Sequence, residues 1–344
     1  MNAAPIPRDV QRLLIACPSW VGDTVMATPV LRLARQRFPD AQIILTLRPG
    51  LDDLLAGCPW FDTMIAVDMR GITGLLRAAG TLRDYKAEAA LLLPNSFRSA
   101  LAVRMSGIGV RIGYDRDYRG SLLTHRVSVE PRETPTPLIE YYQRLSLAAF
   151  GCEEMDLDPE LFVTEEQARH AASLLDDVKG RFVLLNPGGN KPKKRWPAER
   201  FAAVADALRN SLGLPALVSG SPGERPLLRQ VVAAAASPII DLAERGITLG
   251  SLKAVIRRAS LLITNDTGPR HIAAALKTPT VSLFGPTDHR WTTWPSAREH
   301  VLLSEPFLPE QAMADAHPRA CEIERITVSD VLFAARRLLE DSER

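Results

Sequence analysis

Two Rossmann-like α/β domains facing a central cleft are what this sequence predicts, and three observations carry that reading. Short apolar runs rich in Leu, Ile and Val alternate with longer amphipathic stretches, the pattern of parallel strands covered by helices on both faces. The alternation passes through two cycles with a break at about 150–180. The 344 residues also exceed one ordinary core, so two lobes are expected.

In the first cycle, Arg12–Cys17 reads as a strand and Asp23–Phe38 as a helix. Ala41–Leu47, Met64–Val67 and Ala87–Leu93 follow as strands. Pro-containing residues 130–137 and the stretch from Gly151 to Pro159 then break the pattern. A second cycle opens at the helix Thr164–Val178, where Thr164 followed by Gln167 is a capping-box pair. Its strands are Phe182–Leu185, Pro215–Ser219, Ile239–Leu242, Leu261–Thr264 and Thr280–Phe284. The closing helix, Thr327–Leu339, has one apolar face through Val328, Val331, Leu332, Ala335 and Leu338. These elements divide the chain into domains at 1–165 and 166–325, with residues 326–344 expected to pack back on the first.

Composition removes several classes. With 46% hydrophobic and 24% charged residues the chain is globular, and no apolar run reaches transmembrane length. No signal-like stretch precedes the first strand, which points to the cytoplasm. Cys17, Cys58, Cys152 and Cys321 are scattered, so neither a disulfide framework nor a metal site is expected. Basic and acidic residues number 42 and 40, giving no general pull toward nucleic acid. The dinucleotide GxGxxG, Walker A and GxSxG patterns are absent, as is a convincing DxD pair.

Three strand-to-helix junctions carry the chemistry. In CPSWVGDTVMATP, Gly22 permits close backbone approach, and Asp23 is either a helix cap or a carboxylate able to take a proton from a sugar hydroxyl. In LLNPGGNKPKKRWP, Gly188, Gly189 and Asn190 lead to Lys194, which reads as an anion cradle or a solvated basic loop. In LLITNDTGPRHIAAAL, the Thr267 and Gly268 amides open a helix toward a diphosphate, with Asp266 and His271 nearby. A capping turn and a structural histidine account for the same residues. Glu224, after another strand end, is a weaker candidate for ribose hydroxyls.

Taken together, Pro18–Asp23, Pro94–Ser99, the KRWP of Lys194–Pro197, Asn265–Gly268 with His271, and the FGPT of Phe284–Thr287 resemble glycosyltransferase family 9. These are the ADP-heptose:lipopolysaccharide heptosyltransferases. PSWVGDTVMATP and LLLPNSFRSA look most like their heptosyltransferase II branch, and the similarity spans nearly the whole chain. The resemblance implies a GT-B fold and inverting transfer without metal or cofactor, ADP-heptose being the donor substrate. It further implies Asp23 as general base, with Lys194 and the Thr267 and Gly268 amides on the leaving diphosphate. Gly188, Gly189, Asn190, Glu224, Asp266 and His271 complete the donor side.

Ser19, Trp20, Asn95, Arg98, Arg111 and Arg119 fall on the acceptor side, where the arginines pair with lipopolysaccharide inner-core anions or are surface charges. An amphiphilic acceptor implies peripheral contact with the inner membrane. GPRH after Thr267, the NKPKK insertion and a short segment near Cys321 depart from the family pattern. Another family 9 donor or acceptor, a non-catalytic sugar-nucleotide-binding protein, and a sugar-nucleotide epimerase stand as alternatives.

Overall fold

A computed structural model describes residues 6–129, 136–294, 296–304, 319 and 321–341. The chain divides into two compact units, the second beginning at Val163. Most of the 130–137 break lies outside the described residues.

The first unit is a six-stranded parallel sheet of β1 (Arg12–Ala16), β2 (Gln42–Leu47), β3 (Thr63–Ala66), β4 (Ala89–Leu92), β5 (Val110–Tyr114) and β6 (His125–Val127), in the order β3-β2-β1-β4-β5-β6. The second contains β7 (Val183–Asn186), β8 (Ala216–Val218), β9 (Ile239–Asp241), β10 (Leu261–Asn265), β11 (Thr280–Phe284) and β12 (Glu299–Leu303), ordered β12-β11-β10-β7-β8-β9 and again parallel. Counted from its own first strand, each unit has the Rossmann order. Strand order therefore reverses between β1 and β4 and between β7 and β10, and ligands of open α/β sheets bind at such points.

Helices of the first unit are α1 (Val21–Met26), α2 (Thr28–Arg37), α3 (Asp52–Leu55), α4 (Gly71–Asp84), α5 (Phe97–Met105) and α6 (Leu138–Phe150). Those of the second are α7 (Glu165–Leu174), α8 (Ala198–Leu212), α9 (Arg225–Ala234), α10 (Leu249–Arg258), α11 (Gly268–Leu276) and α12 (Val328–Glu340). No helix among the described residues is long and apolar enough to cross a membrane. The four cysteines are free thiols.

Three differences from the sequence reading have physical causes. The helix expected over Asp23–Phe38 is two helices, broken at Ala27. Pro29 has no N–H, and its ring would crowd the carbonyl four residues back, that of Val25. The Thr28 hydroxyl donates to that carbonyl instead, at 2.8 Å. Strands β5, β6 and β12 were not expected, because VRIGY, HRV and EHVLL interrupt their apolar residues with Arg, Gly or His. The closing helix corrects the expected packing: Val331, Ala334, Ala335 and Leu339 of α12 lie in the core of the second unit, not in that of the first. Trp196 is fully buried in the same core and its indole N–H donates to the Ile326 carbonyl at 2.9 Å, anchoring the approach to that helix.

Arg270, within that GPRH, is buried in α11. Its guanidinium grips Glu299 of β12 through Nε at 2.5 Å and Nη2 at 2.9 Å, donates to the Thr292 hydroxyl at 2.8 Å and lies over the Phe284 ring. Removing one partner of such a pair strands a buried charge. Glu299→Gln is expected to cost about 3–5 kcal/mol, measured by urea unfolding of the second unit; unchanged unfolding would show that the pair contributes little.

Candidate active site

At the end of β1 the chain turns directly into α1. The Thr24 hydroxyl closes this turn by reaching the carbonyls of Trp20 at 2.9 Å and Pro18 at 3.2 Å. Trp20 occupies the N-cap position in extended conformation, and Asp23 is the third helical residue, so Asp23 is not the cap. Its carboxylate accepts no hydrogen bond from the described residues. Burial without compensating donors pushes its pKa up to about 6. A carboxyl that titrates near neutrality suits a general base.

The β4 end supplies the neighbouring loop. Ser96 caps α5 by accepting from the Ser99 amide at 3.2 Å. A cavity of ≈ 700 Å³ opens over the ends of β1 to β4, and Ser19, Arg48, Arg70, Ser96 and Arg98 are among its walls. Arg98 is fixed across it by bonds to the Met69 and Gly71 carbonyls at 2.7 and 2.6 Å. Asp23 lies one helical turn past Ser19 and is not itself a wall. A separate cavity of ≈ 480 Å³, beside α2, contains none of the expected residues.

The other expected acceptor residues have different places. Arg111 sits near the start of β5, at the end of the strands opposite the cavity, and holds the carbonyls of Ile108, Gly109 and Leu122. Arg119 is fully buried, not a surface arginine. It bonds the carbonyls of Tyr114 and Pro94 and the Asn95 side chain, and burial lowers its pKa to about 10. Asn95 also accepts from the Tyr141 hydroxyl at 3.1 Å. Arg111 and Arg119 are therefore structural clamps, Arg119 beneath the loop that carries Ser96 and Arg98. Trp20 is 61% exposed.

In the second unit the junctions after β7 and β10 meet. The Asn265 amide donates to the Pro187 and Gly188 carbonyls at 2.8 and 3.0 Å and accepts from the Trp196 amide at 3.3 Å, locking the glycine loop against the KRWP segment. Lys194 meets Asp266 at 2.9 Å, with both side chains largely buried, and the Thr287 hydroxyl donates to the same carboxylate oxygen at 3.2 Å. Burial raises the Asp266 pKa, but Lys194 and Arg270 more than offset it, and the net shift is downward.

Thr267 is the N-cap of α11 by position, yet its hydroxyl turns to Asn186 at 3.3 Å and leaves the helix end uncapped. The Thr267 and Gly268 amides have no partner among the described residues. His271 is buried and accepts from the Trp294 indole at 3.0 Å; burial, with Arg270 beside it, lowers its pKa to about 3. The ring is neutral and structural.

Glu224 reads differently from a free ribose ligand. One oxygen accepts from the Gly189 amide at 2.8 Å and the other from the Ser221 amide and hydroxyl at 2.8 and 2.7 Å. The Gly189 N–H is therefore already used, which corrects its expected place in the anion cradle. A Cβ at Gly188 would collide with the Glu224 carboxylate, so a larger residue there would push that side chain off its bonds to Gly189 and Ser221. Three of about four carboxylate acceptor positions are filled, leaving room for one hydroxyl. Asn190 is exposed at the tip of the same loop. The sequence assigns Asn186 no role, its only sign being a polar residue that ends an apolar strand, and Thr287 appears there only as the last residue of FGPT.

The model of glycosyltransferase family 9 (heptosyltransferase) matches residues 75–320. Lipopolysaccharide heptosyltransferase 2 of Escherichia coli K12 is 29% identical over 307 residues, covering 85% of this chain and 87% of that protein. Lipopolysaccharide heptosyltransferase 3 of the same strain is 28% identical over 341 residues, covering 93% and 96%. The E. coli ADP-heptose lps heptosyltransferase II structure superposes with a TM-score of 0.83 at 26% identity, over 97% of this chain and all of that one. A family 9 glycosyl transferase from Veillonella parvula matches in fold with a TM-score of 0.84 at 22% identity, covering 99% of this chain and 100% of that chain. Two Rossmann-like units in this order, and a family match across most of the sequence, make the chain a GT-B enzyme that belongs to glycosyltransferase family 9, the heptosyltransferases.

Proposed function

We propose that the protein transfers heptose from ADP-L-glycero-D-manno-heptose to the heptose of the lipopolysaccharide inner core, with inversion and without a metal. The observation that carries this is Asp23, a carboxylate with no hydrogen-bond donor among the described residues and a pKa raised to about 6, at the switch point of the first sheet. The acceptor hydroxyl gives its proton to Asp23 as its oxygen forms a bond to the anomeric carbon. The bond from that carbon to the diphosphate oxygen breaks on the opposite face, and ADP leaves with the electron pair.

Charge on the departing diphosphate falls to the second unit. An ammonium has three N–H donors, and Lys194 spends one on Asp266. The others, with the Thr267 and Gly268 amides and the α11 dipole, do electrostatically what a metal does elsewhere. Glu224 has one acceptor position for a ribose hydroxyl. Ser19 and Arg98 line the acceptor side, and an amphiphilic acceptor brings the first unit to the membrane surface.

Asp23→Asn is expected to reduce transfer at least about a thousand-fold while leaving ADP affinity unchanged in calorimetry. The wild-type kcat/KM should rise with pH through a limb near 6, since the base acts ionised. The raised pKa also means that stability is full below the unfolded value of 3.8 and is lost as pH rises through about 6. Asp23→Asn should therefore be more stable at pH 7.5 by on the order of 1–2 kcal/mol, with the difference vanishing in acid. A variant that retains transfer sinks Asp23 as base.

Calorimetry with EDTA present should show ADP and ADP-heptose binding more tightly than UDP or GDP sugars, and Lys194→Ala weakening ADP roughly ten-fold or more. Preference for UDP or GDP would move the activity to a different glycan.

A further inference from the structure

The first unit exposes apolar side chains on the rim of its cavity. Ile72 is 77% exposed, Trp20 61%, Leu76 52% and Phe97 46%. Three of them directly follow cavity walls: Ser19 precedes Trp20, Gly71 precedes Ile72 and Ser96 precedes Phe97. Ile72 and Leu76 are four residues apart on α4, so they share one face. Gly74, Ala78 and Leu82, spaced by the same interval, form the opposite, buried face. Arg98 bonds the Met69 and Gly71 carbonyls and thereby ties the first turn of α5, with Phe97, to the start of α4. The exposed apolar side chains of α4 and α5 thus belong to one coupled surface, and Trp20 follows another wall of the same cavity, more than scattered surface residues require.

The charge around this rim is predominantly basic. Arg77 and Arg98 have no carboxylate partner among the described residues, and Arg48 adds its charge to that of Arg70 beside Asp68. Asp68 is neutralised by Arg70 through a fork at 2.7–3.0 Å. Apolar side chains interleaved with unpaired arginines match an anionic lipid surface, into which the apolar groups insert while the guanidiniums meet the headgroups. A protein partner would have to place its own carboxylates among apolar contacts to match these cations, whereas an anionic bilayer offers both layers at once.

We propose that the α4 face of Ile72 and Leu76, with Trp20, Phe97 and their flanking arginines, is the surface by which this enzyme docks on an anionic bilayer. The inference rests on the membrane-bound acceptor of the proposed function and adds the residues that make the contact. Docking through this rim brings the cavity of the first unit to the headgroup layer, where an amphiphilic acceptor presents its sugar.

Flotation of the full chain with phosphatidylcholine vesicles, with and without phosphatidylglycerol, tests it. Binding is expected to the anionic vesicles alone, to weaken with salt, and to fall roughly ten-fold or more in Ile72→Ser/Leu76→Ser. Both side chains are exposed, so the variant should keep wild-type unfolding behaviour and wild-type transfer to a delipidated acceptor saccharide. Arg77→Glu, outside the cavity walls, should likewise lower binding to the anionic vesicles. Failure of the wild type to bind, or equal binding by the double variant, overturns the assignment; so does self-association that depends on Ile72 and Leu76, which would make the face a dimer contact. A protein that binds vesicles in this residue-specific way but transfers nothing would support the surface and remove the glycolipid reading.

Discussion

The second unit of this enzyme is organised around one buried primary amide. Asn265 ends β10 with both N–H groups on the glycine loop and its oxygen on the Trp196 backbone. Neither carbonyl of that loop nor the amide of Trp196 can reach water, so losing the side chain would leave three buried backbone groups unsatisfied, at about 1–3 kcal/mol each. The residues proposed for the nucleotide are arranged around this interlock. Gly189 is presented to Glu224, Lys194 to Asp266, and the start of α11 is left open because Thr267 turns its hydroxyl to Asn186.

Two aspartates show how environment divides roles between identical side chains. Asp23 is partly buried among groups that offer it no hydrogen bond, and its pKa rises to about 6. Asp266 is more deeply buried, yet Lys194, Arg270 and Thr287 surround it and its pKa falls. The first is suited to exchange a proton; the second stays ionised and holds the lysine in place. Neither fate can be read from the residue type, since desolvation acts on both in the same direction and only the neighbours differ.

Several arginines show the same dependence on tertiary context. Arg98, Arg111 and Arg119 look alike in sequence, as cations in the acceptor-side half. Arg98 reaches the cavity, Arg111 is at the opposite end of the strands, and Arg119 is sealed in the core beneath the Pro94–Asn95 loop. What separates them is the strand end on which each falls, and β5 was not visible as a strand because Arg111 and Gly113 interrupt its apolar run. His271 likewise resolved to a buried acceptor for Trp294, a partner 23 residues away.

Local sequence alone determined the two-cycle alternation of strands and helices, most strand positions, the Thr164 and Gln167 capping box, and the three junctions where chemistry gathers. These are short-range properties, set by side-chain periodicity and by Gly, Pro and Asn at turns. Tertiary structure decided which candidates meet: Lys194 with Asp266, Glu224 with Gly189, Arg270 with Glu299, and α12 with the core of the second unit. The physical reason is that these contacts join residues far apart in the chain across parallel strands. Their partners are chosen by strand order, and strand order leaves no mark on the local pattern of either residue.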